Sequence, residues 1–171
     1  MLEKTSNDNK ALKIAKIISY NFLTVLISKD SLSRLGDFYP TIESRKLARE
    51  WFALQVLLMV ISISNYYKEA PIGLNIAKHF HGYIVEGLAE AGVYGSSDEA
   101  TEFIKSRLDF YNERMSIKKD NPLMNMSIQF LKYINNEDAL LLVNTGEQIS
   151  VILQTNIKLI REAKKIANEK V

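Results

Sequence analysis

Residues 51–67 read WFALQVLLMVISISNYY, and no charged side chain interrupts them. Across 52–63 the apolar residues fall on every side of a helix, so this helix must be surrounded by apolar material. Two surroundings meet that demand. Seventeen residues is the lower end of what spans a bilayer, and Trp51, Tyr66 and Tyr67 carry the rings found in interfacial belts. Gln55, Ser62, Ser64 and Asn65 weigh against a hydrocarbon environment, and no second stretch of adequate length accompanies the first. The segment is read as the central helix of a globular bundle, and no membrane span is expected.

Helical periodicity continues on both sides. Pro40, Pro71 and Pro122 are the three prolines, and each falls between periodic stretches, where a residue that removes a backbone donor belongs. The spacing predicts helices over about 8–28, 41–67, 74–91, 96–118, 122–135 and 137–169. In the first, Ala11, Ile14, Ala15, Ile18, Phe22, Val25 and Leu26 recur at three and four residues as one buried face. Gly92 is placed to end the third helix in a left-handed conformation. Ser96 and Glu99 have the spacing of a capping box, in which each side chain bonds the other's backbone N–H. Asn135 and Asn136 close the fifth helix. Gly146 is a possible bend in the last.

No alternating strand pattern appears. The expectation is an all-α, single-domain bundle of five to six helices with a long C-terminal helix, residues 1–7 forming a flexible tail. The connection over 29–40 is the longest and has room for a short helical turn.

Composition narrows function by exclusion. There is no cysteine, which removes disulfides, thiolate metal sites and thiol nucleophiles, and which fits a cytoplasmic protein. The run from Ile17 to Ile27 follows Lys10, Lys13 and Lys16 as a signal sequence would. Lys29, Asp30 and Arg34 come after it, however, and no A-x-A cleavage pattern closes it. With 22 basic against 20 acidic side chains, nucleic acid is not expected as a partner. Phosphate-binding glycine loops and nucleophile elbows are absent, and no cofactor is expected. The two histidines, His79 and His81, project about 200° apart on one helix and cannot clasp a common ion, so no metal is expected.

Several constellations remain. His79, Tyr83, Glu86 and Glu90 share one strip of the third helix; together they offer an acid–base or polar-ligand site, or merely a solvated edge. Trp51, Gln55, Ser62 and Tyr66 share one side of the central helix and could line a pocket between helices, or satisfy one another. Asp98, Glu102, Asp109 and Glu113 form a carboxylate stripe that any exposed helix face can show. In the last helix Ile149, Leu153, Asn156, Ile160 and Ala163 form a coiled-coil-like seam. It suits self-association as a homodimer, or packing within the chain. Lys158, Arg161, Lys164, Lys165 and Lys170 gather near the C-terminus.

The function expected by elimination is a helical protein-interaction or assembly subunit without catalytic activity. The alternative is a small-molecule binder or enzyme with its site in the bundle core, and a nucleic-acid-associated subunit is the third reading. Fold alone does not choose among them.

Overall fold

A computed structural model describes residues 2–39, 42–68, 70–117, 122–136 and 138–168, with side chains for all of these except 2–6, 32, 38, 112–117, 139 and 140. Pro40 and the expected helix end at Lys118 lie outside the described residues. The chain is all-α, with no strand among the described residues. Its elements are α1 (Leu2–Leu26), α2 (Lys29–Phe38), α3 (Ser44–Tyr67), α4 (Pro71–Glu90), α5 (Ser97–Ile117), α6 (Pro122–Tyr133) and the long α7 (Ala139–Asn168).

The central position of α3 follows from its all-round apolar surface. It packs against α2, α4, α5, α6 and α7. Among the described residues it is the one single helix long and apolar enough to cross a membrane, and 67% of its apolar window is buried inside the protein. Leu54, Val56, Leu58, Met59 and Ile63 are fully enclosed. Around it α1 lies along α4, with Phe22 set edge-on to Phe80 at 5.3 Å between ring centres. Gly87 permits that approach, because a Cβ there would run into the Leu23 side chain.

Helix ends obey local chemistry. Pro71 and Pro122 open α4 and α6, where a missing N–H costs nothing. Gly92 takes φ +72°, the left-handed cap expected there, and Asn135, where the fifth expected helix closes, takes φ 58°. Val93 N–H then closes onto the Leu88 carbonyl at 3.0 Å, and Asn136 N–H onto Leu131 at 2.8 Å.

Three expectations need correction. Helix α1 starts at Leu2, so residues 2–7 are helical and not a tail. The stretch expected as a connection holds α2, which makes seven helices among the described residues. Its signal is short: the Ser28 hydroxyl caps the Ser31 N–H at 3.2 Å, and Leu35 is buried one turn further on. Finally, Val25 is 66% exposed. It lies one residue off the strip of Ala11, Ile14, Ala15, Ile18, Phe22 and Leu26, all of which are buried as expected.

Candidate functional site

The first turns of α3 carry Arg45, Lys46, Arg49 and Glu50, immediately before the apolar run. Glu50 points inward, and only 3% of the residue is exposed. An isolated buried carboxylate is too costly to persist, so it needs a partner. Arg107 of α5 supplies one through a two-point clamp, with Nε donating to Oε2 at 2.8 Å and Nη2 to Oε1 at 2.6 Å. That bond raises the Arg107 pKa further. Both oxygens of Glu50 are thereby engaged.

Phe103 sits one helical turn before Arg107 and shares its face. The Arg107 guanidinium lies 4.6 Å from the Phe103 ring centre and 4.0 Å from that of Tyr133, just beyond Phe130 on α6. The Arg49 guanidinium lies 4.8 Å from the Phe103 ring centre and 4.7 Å from that of Tyr94, and those two rings touch each other at 5.5 Å. Tyr94, Arg49, Phe103, Arg107 and Tyr133 thus form one stacked cluster of aromatic rings and guanidinium groups. Each such contact is worth about 0.5–1 kcal/mol at exposed sites and more when desolvated. The stack ties α3 and α5 to the α4–α5 loop and the end of α6.

The outer arginine has its own carboxylate. Arg49 Nη2 donates to Glu99 Oε1 at 2.6 Å. Glu99 Oε2 accepts the Gly95 N–H at 2.7 Å, while Glu99 N–H donates to the Ser96 hydroxyl at 3.1 Å. The expected capping box is therefore half formed: Ser96 caps Glu99, but the Glu99 carboxylate reaches back one residue further, to Gly95, and holds Arg49 as well. The Gly95 N–H, then Arg49, keep the Glu99 carboxyl below the usual carboxylate range. Tyr94 O–H donates to the Arg49 carbonyl at 3.2 Å, and burial pushes its phenol pKa up. Burial also raises the pKa of Tyr111, whose hydroxyl has no hydrogen-bond partner among the described residues.

Beside the stack an open cleft of about 360 Å³ is lined by Glu43, Arg45, Lys46, Arg49, Glu50 and Phe103. A second, more apolar cleft of about 300 Å³ is lined by Ile27, Arg45, Ala48, Phe52, Ala91 and Val93. Arg45 belongs to both.

The residues singled out from sequence fall elsewhere. His79 turns away from its strip toward α1, with Nε2 3.3 Å from Asp8 Oδ1, an oxygen that also accepts from Asn75 at 3.4 Å. Tyr83 is half-buried against the core, whereas Glu86 and Glu90 are exposed. The strip thus holds two half-buried residues, two exposed carboxylates and one interhelical contact. Trp51 packs edge-on to Phe130 at 5.4 Å. Ser62 donates back to the Leu58 carbonyl of its own helix at 2.7 Å. Tyr66 stands against Tyr67 and beneath Lys164 of α7, and Gln55 is half-buried. None of these four lines either cleft. Among the described residues no three His, Asp or Glu side chains converge as a metal site would require.

On α7, Ile149, Asn156, Ile160 and Ala163 are buried, and Leu153 is half-buried. The helix packs against α6, α3 and α1, which cover these seam residues within the chain. Asp98, Glu102 and Asp109 are exposed; Glu113 lies outside the described side chains, and Lys170 outside the described residues.

The stack was missed from sequence because its members are spread over residues 49 to 133. The local signals were a charged pair, Arg49-Glu50, at the border of an uncharged run, and Phe103 with Arg107 at i,i+4.

Fold and site together define an all-α bundle whose most elaborate polar feature is a self-neutralised arginine–aromatic stack bordering two open clefts. No protein-family model, characterised protein or solved structure matches the chain.

Proposed function

We propose that the chain is a helical interaction or assembly subunit that works through its surface without catalysing a reaction. One observation carries this reading. Glu50, the one buried ionised group among the described residues, has both carboxylate oxygens bonded by Arg107, and the clefts beside it stay open to solvent. A catalytic acid or base needs a free proton site within reach of a substrate, and a small-molecule site buries most of its ligand. Neither His79 nor Gln55, the expected walls of a core pocket, borders either cleft. The nucleic-acid reading is weakened because Lys164 is drawn over Tyr66 and Tyr67, out of the basic cluster near the C-terminus.

Native mass spectrometry of gently purified protein tests the proposal. The expected result is a stoichiometric complex with a second polypeptide, whether another copy or a different chain. A monomer that retains a small molecule in stoichiometric amount overturns it.

A further inference from the structure

We infer that the two clefts form one groove that docks an acidic segment of a partner protein carrying a bulky apolar side chain. This rests on the interaction reading and names the surface and the chemistry of the partner. Arg45 lines both clefts, so they adjoin at its side chain. Arg45, Ala48, Arg49 and Phe52 follow one another at spacings of three, one and three on α3, which places them on one strip of the helix. The strip is about 10 Å long at 1.5 Å per residue, matching about two turns of a helix laid against it.

The charge along the groove selects its occupant. Glu50 is neutralised by Arg107, and Glu99 is paired with Arg49. Arg45 and Lys46 make no ion pair among the described residues, although Glu43 and Glu50 share the first cleft with them and Arg45 acts on the Glu99 carboxylate. Around the groove Arg45, Lys46, Arg49 and Arg107 stand against Glu43, Glu50 and Glu99. The surplus is positive, so the complementary segment is acidic. At the other end, Phe52, Ala48 and Val93 give the second cleft an apolar lining with room for a large side chain. Both clefts are open, which suits a peptide segment laid along α3 better than an enclosed small molecule.

The test pans a random-peptide phage library on the full chain and measures selected peptides by fluorescence anisotropy. Binding is compared between the native protein, Arg45→Glu and Ala91→Glu, both exposed positions, with thermal melts by circular dichroism showing that the variants fold. The expected peptides carry acidic residues near a bulky apolar one. They should lose about tenfold or more in affinity for each variant, and weaken as salt is raised. Peptides that bind all three proteins equally place the interface elsewhere; that overturns the groove and leaves the interaction reading standing. Lack of enrichment over a protein-free control also overturns it. Dodecanoate, titrated in parallel, would assign the groove to a small anionic amphiphile if it alone bound with the same dependence on Arg45 and Ala91, and would overturn the peptide assignment.

Discussion

Arg107 and Glu50 meet through two parallel hydrogen bonds of 2.8 and 2.6 Å, 57 residues apart in sequence, with the Glu50 side chain only 4% exposed. This contact joins the amino end of the central helix to the middle of α5. It also sets the position of the whole stack, since Arg107 touches both Phe103 and Tyr133.

Removing one member strands the other. Arg107→Met leaves Glu50 buried and unpaired, and should lower unfolding free energy by about 3 kcal/mol, the scale for a broken buried ion pair. Replacing both, as Glu50→Leu with Arg107→Met, should cost much less than the two single changes added together. Urea unfolding of the three variants checks this. A loss below about 1 kcal/mol for Arg107→Met would show that Glu50 has water or another partner.

Glu99 should shape the acid limb of stability. Its folded pKa lies below the ordinary value of 4.5 because the Gly95 N–H, then Arg49, favour the carboxylate. A depressed carboxyl contributes stability above its unfolded pKa and loses it as pH falls through the folded one. Glu99→Gln should therefore narrow its deficit relative to the native protein as pH is lowered from about 5 toward 3. Urea midpoints measured across that window decide it, and a deficit that stays constant with pH would mean that charge plays no part.

Two helical glycines in α4 should respond in opposite directions to alanine. A Cβ on Gly73 would lie 2.7 Å from Tyr67 Cβ, an atom that cannot move without the α3 backbone. Gly73→Ala should therefore destabilise by about 1–3 kcal/mol despite alanine's better helix propensity. A Cβ on Gly82 meets nothing within 4 Å, and Gly82→Ala should stabilise by up to about 1 kcal/mol. Thermal melts of the pair check the sign; equal shifts would refute the Gly73 contact.

Ile160 separates a core position from an interface. It is fully buried within the chain, so Ile160→Glu should prevent folding, because it places an unpaired charge in apolar surroundings. Val151, on the same helix but 61% exposed, should accept Glu with a change of no more than about 0.5 kcal/mol. Far-ultraviolet circular dichroism distinguishes the two. A folded Ile160→Glu monomer arising from a native dimer would restore the seam as an interface.

The amino-acid sequence by itself determined six of the seven helices among the described residues, the central place of 51–67, the left-handed cap at Gly92, the close of α6 at Asn135, and the buried strip of α1 apart from Val25. These are local matters: periodicity, backbone freedom and capping act within a few residues. It understated α2, a ten-residue helix whose capping and single buried leucine give a weak periodic signal. Only the tertiary structure decided which polar residues matter. The strip of His79, Tyr83, Glu86 and Glu90 looked chemical because its spacing was regular, but helix spacing says nothing about what lies opposite. Glu50 carries no local signal beyond its place just before the uncharged run. It became the anchor of a five-member stack because α5 and the end of α6 bring Phe103, Arg107 and Tyr133 to it, and the cost of burying its charge demands that pairing.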